Sequence, residues 1–186
     1  MLSDVSIMKA MDEDDIALSM DGRPGVGASC LQPASIDVHL GDRLIWFTDM
    51  HEEIDPTREQ PGLTAYKKIN EQGFSLMPNE FVLGTTVETL GLREGIAAEV
   101  TGKSSLARLG LVVHATAGFI DPGFSGKVTL EIKNFNHKPI RLRAGMKIAQ
   151  FKFFRLEEPC TRPYGSAGLG SHYQGQSDVT ASRSWT

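Results

Sequence analysis

One run of the chain, Gly102 to Glu131, carries Lys103, Ser104, Ser105, Arg108, Asp121 and Glu131, side chains able to bind an anion or move a proton. Lys103, Ser104 and Ser105 follow the apolar segment Ile96 to Val100 and open a turn in which Leu106 and Leu109 recur at helical spacing. The first turn of a helix leaves backbone N–H groups free, so an ammonium and two hydroxyls placed there could hold a phosphate. Ser also caps helices with no ligand at all, and these residues alone leave both readings open. Arg108 lies near the same end of the turn. Its planar fork engages phosphate or a polar transition state in a way that Lys cannot.

The two carboxylates sit in different local settings. Asp121 precedes Pro122 and Gly123, a fixed φ followed by a permissive one, so it is presented at a tight turn, where it either caps its own backbone or faces a ligand. Glu131 belongs to Val128-Thr129-Leu130-Glu131-Ile132-Lys133, whose period of two puts Val128, Leu130 and Ile132 on one face and Thr129 and Glu131 on the other. On an open strand it is an ordinary solvated carboxylate. Covered by a tail or a second subunit, it would be desolvated towards a neutral pKa and become a competent general base.

The elements that must position these groups are short strands. They are expected at Ile36 to Leu40, Leu44 to Phe47, Phe74 to Met77, Phe81 to Glu88, Ile96 to Val100, Leu111 to His114, Val128 to Lys133, Ile140 to Leu142 and Lys147 to Leu156. Turn signals at Gly41-Asp42, Pro78-Asn79, Asn134 to Pro139 and Ala144-Gly145 separate them. The pattern is mainly β, a sandwich or distorted barrel with few helices. One short helix starts at Ser3-Asp4, buries Ile7, Met8 and Met11, and ends within Asp12 to Asp15. Asp55 to Gln72 reads as a long polar excursion. After Glu157 the composition shifts to Gly, Ser, Thr and Gln, so the last thirty residues should have no core of their own, and form either a disordered tail or a lid.

Composition narrows the class. At 186 residues, 40% hydrophobic, the chain suffices for one domain with a real core. A net charge of −4 argues against binding nucleic acid through a broad basic face. Two cysteines, Cys30 and Cys160, make no disulfide framework; no stretch is apolar enough for a membrane span, and the N-terminus lacks a signal-peptide pattern. A cytoplasmic protein is the expectation. His51-Glu52-Glu53 and Pro159-Cys160 imitate the H-x-E and P-C-x-x-C of zinc deaminases, but the second thiol position is Pro163.

Taken together, Gln32-Pro-Ala-Ser-Ile-Asp-Val-His-Leu-Gly41, Gly102 to Arg108, His114 to Gly126, Thr129 to Glu131, Gly145 to Gln150, Pro163-Tyr164-Gly165 and Tyr173 to Gln176 resemble the dCTP deaminase family of the trimeric dUTPase-like superfamily. The likeness spans nearly the whole chain and is nearest to the bifunctional, dUMP-forming branch. It implies a homotrimeric, dUTPase-like distorted barrel in which residues 1–186 form one domain and 157–186 a lid over a site between subunits. It implies hydrolysis of dCTP at C4 and then release of pyrophosphate, with dUTP also a ligand, dTTP an inhibitor, Mg²⁺ carried by the triphosphate and no zinc. Glu131 would be the general base, with Arg108 and Ser104 positioning water. Lys103, Ser104, Ser105, Leu106, Ala107, Arg108, Asp121, Thr129, Leu130, Glu131, Gln150, Tyr164, His172 and Gln176 would contact the nucleotide, and the backbone near Ala117 would orient the base.

Two departures matter. His172 stands where the family commonly has Lys, and Gly118 with Phe119 stand where deamination-only members carry His and Arg. The small Gly118 would leave room for a second water near the α-phosphate. Phe124 at the end of the turn, in place of Tyr, sets the chain apart from a plain dUTPase. A deaminase that stops at dUTP, or a non-catalytic trimeric barrel serving as a regulator, are the rival readings.

Overall fold

The computed structural model describes residues 1–20, 22–25 and 27–186. In chain order, helix α1 (Asp4–Asp12) is followed by β1 (Ile16–Met20), β2 (Arg23–Pro24), a short 3-10 turn, β3 (Leu31–Gln32), β4 (Ser35–His39), β5 (Arg43–Phe47), β6 (Thr64–Lys68) and β7 (Phe74–Leu76). Then come β8 (Phe81–Leu92), β9 (Ile96–Gly102), α2 (Ser104–Ala107), β10 (Leu111–Val113), β11 (Phe119–Ile120), β12 (Ser125–Asn134), β13 (Ile140–Leu142) and β14 (Lys147–Arg155). The fold is mainly β, in line with its strand-rich pattern.

Every pairing among these strands is antiparallel. One sheet runs β10-β12-β8-β1-β2, with β5 joined to β8 and β6 to β5; the second runs β11-β9-β14-β4-β3; β13 and β7 form a third, small one. The long strand β8 explains this shape, because its first half pairs with β5 while β12 runs along most of its length and β1 along its end. Alternation does the rest. Leu130 and Ile132 from the first sheet meet Ile36, Val38, Phe151 and Phe153 from the second in one buried core. Burial of each such side chain contributes roughly 1.5–3 kcal/mol.

A polar tie joins the two sheets inside that core. Glu88 on β8 is completely buried, accepts the His39 N–H of β4 at 2.9 Å, and lies 2.6 Å from His39 Nδ1. Breaking such a pair leaves an uncompensated buried group, which is costly.

The structure departs from the sequence reading at α1, at β1 and in the polar excursion, and it adds the two-residue strands β2 and β3. Ala10 replaces Met8 on the buried side of α1, since Ile7, Ala10 and Met11 share one face at i, i+3 and i+4 and Met8 points to solvent. Ile16–Met20, assigned to no element, is β1, with Ile16 and Leu18 buried. The polar excursion contains β6, an edge strand paired only to β5 and carrying Lys67 and Lys68, charges that suit an open edge.

Beyond Arg155 the chain has no regular strand or helix, yet it is held to the body. Val179 is buried in a small cluster with Ile45 and Leu83, and Asp178 pairs with Arg43 at 2.7 Å. The tail thus completes a core that belongs to β5 and β8.

Candidate active site

The register of β12 puts Glu131 where the alternation placed it, on the face opposite Leu130 and Ile132. That face lines a cavity of about 420 Å³ together with Thr129, His114, Asp121, Phe119, Tyr164 and Gln176. Glu131 Oε2 accepts the N–H (3.0 Å) and the Oγ1–H (2.9 Å) of Thr116, which fixes one carboxylate oxygen. Its Oε1 stays 3.7 Å from His114 Nε2.

His114 is the residue that the sequence reading left without a role. Its Nδ1 accepts the Glu131 N–H at 3.1 Å, so the ring proton of the neutral form sits on Nε2. Burial pushes the imidazole below its ordinary pKa, more strongly than the Glu131 carboxylate and the Ala117 backbone pull it up. It is therefore neutral at pH 7, a hydrogen-bond donor beside the carboxylate. The only signal for it in the sequence was a His at the end of a strand.

Asp121 follows β11 at the turn closed by the Phe124 N–H to the Asp121 carbonyl (3.2 Å), and Gly123 there takes φ +86°. Among the described residues no hydrogen bond ties the Asp121 carboxylate to its own turn, so the group is presented at the cavity mouth rather than spent as a cap. The tail closes the same cavity from above. Tyr164 N–H donates to the Pro122 carbonyl (2.8 Å), the Tyr164 and Phe124 rings lie 5.8 Å apart, and Gln176 Nε2 donates to the Lys127 carbonyl and to Thr129 Oγ1 (3.2 Å). A Cβ on Gly123 would meet Pro163 at 2.5 Å, and one on Gly126 would meet the Gln176 carbonyl at 2.9 Å. Both glycines let the tail come down onto the turn.

The second group of predicted residues lies elsewhere. α2 is a single turn in which Lys103, not Ser104, occupies the cap position, and Ser104, Ser105 and Arg108 are exposed. Leu106 packs on the core and Leu130 is buried in it, so Leu130 could meet a ligand only through its backbone. Lys103 is ion-paired to Asp37. Gln150 on β14 pairs with Asp37 of β4 on one side and Thr101 of β9 on the other. None of Lys103 to Arg108 and neither Gln150 nor His172 lines the Glu131 cavity. His172 is held within the tail, through Thr186 Oγ1 to Nδ1 (2.9 Å) and Arg183 Nη1 to its carbonyl (2.8 Å).

Gly118 has a reason for its size besides the room it leaves. Its carbonyl accepts the Val100 N–H at 2.8 Å, and a Cβ would sit 2.6 Å from the Val100 carbonyl oxygen, so any side chain there drives the loop away from β9. Phe119 is 63% exposed at the cavity rim. Among the described residues no group of three or more His, Cys, Asp or Glu side chains is placed to hold a metal, and no helix is long and apolar enough to cross a membrane.

Known structures share this fold. The dUTPase of Staphylococcus bacteriophage 80alpha superposes with a TM-score of 0.51 at 15% identity, over 80% of this chain and 95% of that one. The 2'-deoxycytidine 5'-triphosphate deaminase of Agrobacterium tumefaciens gives 0.63 at 23% identity over 82% of this chain, which spans 46% of the length of that one. The chain thus has a dUTPase-like fold.

Sequence relatives carry the assignment further. A protein of Nocardioides sp. named dCTP deaminase, dUMP-forming, is 51% identical over 188 residues, covering 100% of this chain and 95% of its own. The family model described as dCTP deaminase-like matches residues 1–156, and the chain belongs to that family.

Proposed function

We propose that the protein hydrolyses dCTP at C4 of the cytosine and then cleaves the product between the α- and β-phosphates in the same site, giving ammonia, pyrophosphate and dUMP. One observation carries this reading. The two buried side-chain polar atoms left without a partner among the described residues, His114 Nε2 and Gln176 Oε1, belong to residues that line the Glu131 cavity. Buried polar groups are nearly always paired, so a cavity offering one spare donor and one spare acceptor is suited to a ligand that is polar at both ends. A pyrimidine nucleoside is such a ligand.

In the first step water adds to C4. Glu131 takes one of its protons and passes it to N3, then carries the proton of the new C4 hydroxyl to the amine, which leaves as ammonia, while the Thr116 contacts hold the carboxylate in place. Arg108 and Ser104 position the water and stabilise the charge that develops. Asp121 takes the 3′-hydroxyl, and the backbone near Ala117 orients the base. In the second step another water attacks the α-phosphorus and pyrophosphate leaves; Gly118 shapes the loop that admits it and Phe119 covers the rim. Mg²⁺ is part of the substrate, bound through the triphosphate with several of its waters retained, and no protein metal cage is required.

The active form is a homotrimer with sites at the subunit boundaries. Lys103, Ser104, Ser105, Leu106, Ala107, Arg108 and Gln150 of one subunit supply the phosphate side of a site whose Glu131 cavity belongs to the next. What supports this is that within one chain Ser104, Ser105 and Arg108 are exposed and do not line the Glu131 cavity. Tyr164, His172 and Gln176 belong to the lid, residues 157–186, of a single dUTPase-like domain. The family expectation of inhibition by dTTP and a cytoplasmic location completes the assignment.

The test is to incubate the protein with dCTP and Mg²⁺, separate the nucleotides by anion exchange and assay pyrophosphate. dUMP with stoichiometric pyrophosphate is expected. dUTP with ammonia alone would restrict the protein to deamination, and unchanged dCTP would overturn the assignment.

A further inference from the structure

Asp37 is a charged residue that the mechanism above does not use, and its surroundings are unusual. It lies at the centre of β4 and is only 2% exposed, on the face of the second sheet opposite Ile36 and Val38. Three donors converge on its carboxylate. Lys103 Nζ pairs with Oδ1, while Lys147 Nζ and Gln32 Nε2 each stand 3.4 Å from Oδ2. Lys147 Nζ also donates to the Ser29 carbonyl at 2.6 Å, which fixes its ammonium from the other side.

A buried carboxylate with one ammonium would be neutral. Here two ammonium groups share one carboxylate, so the cluster keeps a surplus positive charge, and both lysines remain partly open to solvent. The backbone sets where that charge sits: Asp37 pairs with Gln150, Gln150 with Thr101, and Lys103 leaves the end of β9 directly before Ser104 and Ser105.

From this geometry we infer that Asp37 is a positioning residue for the phosphate side of the site and that Lys147 is a second cation of that side. The inference rests on the nucleotide reading given above. Asp37 clamps two flexible lysines into one fixed place, so that a phosphate chain meets a prearranged charge beside the Ser104 and Ser105 hydroxyls. Ordering those side chains beforehand removes an entropic cost from binding. Asp37 acts through the lysines and touches no reacting atom.

The test compares wild type with Asp37→Asn, which keeps the shape and removes the charge, and with Lys147→Met, which leaves the buried carboxylate and its Lys103 partner intact. Steady-state kinetics on dCTP and competitive inhibition by inorganic tripolyphosphate are measured on the full-length protein, with tripolyphosphate binding also followed by calorimetry. Each variant is expected to raise KM for dCTP and to weaken tripolyphosphate by about tenfold, with a much smaller change in kcat. In the Asp37→Asn background, adding Lys103→Met should cost little more, because the clamp is already lost. A residue that merely supports the sheet would instead lower kcat and thermal stability while leaving tripolyphosphate affinity unchanged, and that result would overturn the inference. If Asp37→Asn does not fold, an unchanged tripolyphosphate affinity in Lys147→Met does the same. Wild-type protein inert towards dCTP but binding tripolyphosphate in an Asp37-dependent way would sink the deaminase reading and leave the clamp standing.

Discussion

Glu131 and His114 hold each other through the backbone and across a short gap, and that arrangement separates chemistry from folding. Glu131→Gln keeps the shape but removes the carboxylate proposed as the base, so the deamination rate should fall by about 10³-fold or more while dCTP affinity stays within about threefold. Single-turnover assays with calorimetry check this, and affinity lost in step with rate would make Glu131 structural. His114 titrates in the opposite sense to an ion-paired histidine. The unfolded chain takes up a proton near its ordinary 6.5 that the buried ring refuses, so the contribution of His114 to stability is whole above that value and shrinks as the pH falls below it. Urea midpoints at about pH 8 and about pH 5.5 should therefore drop more for wild type than for His114→Asn. The face of Glu131 could be read from a period of two. The partner of Lys103 could not, because Asp37 lies far away along the chain and only the pairing of β4 with β14 and of β14 with β9 brings them together.

Among the elements, the tail departs furthest from its appearance in sequence. Its Gly-rich composition gave no sign that Val179 would fill a gap between Ile45 and Leu83, because a single apolar residue carries no periodicity. β1 was obscured for a related reason: in Ile-Ala-Leu-Ser-Met the outward positions are small rather than charged, so the alternation is weak. β6 was hidden because an edge strand that buries little is free to be polar. Removing residue 164 onward takes away Tyr164, Gln176 and Val179 but leaves the main core intact. The truncated protein should keep its circular dichroism spectrum and the subunit number of the full-length protein in solution while kcat/KM falls by at least about a hundredfold. Retained activity would end the lid assignment.

For the whole molecule, the division of site residues into two groups makes the assembly testable without a structure of it. A ring built from head-to-tail contacts would place Arg108 of one subunit against Glu131 of the next. Glu131→Gln and Arg108→Ala should each be inactive alone. If three subunits form the ring, random equimolar assembly of the two should restore about a quarter of all sites, because half of the subunits offer an intact Glu131 and half of their neighbours an intact Arg108. Absence of any restored activity in verified mixed trimers would put each site within one chain. One consequence of the seated tail belongs to time rather than geometry. The Lys127 N–H gives its hydrogen to the Gln176 carbonyl at 2.8 Å, where the ladder between β12 and β8 is interrupted. In heavy water that amide, like the Ser125 N–H held by Gln174 Oε1, should lose its protection when the arm lifts, while the β12 amides paired with β8 and β10 wait for the sheet itself to open. The strand that carries Glu131 thus reports the seating of the tail.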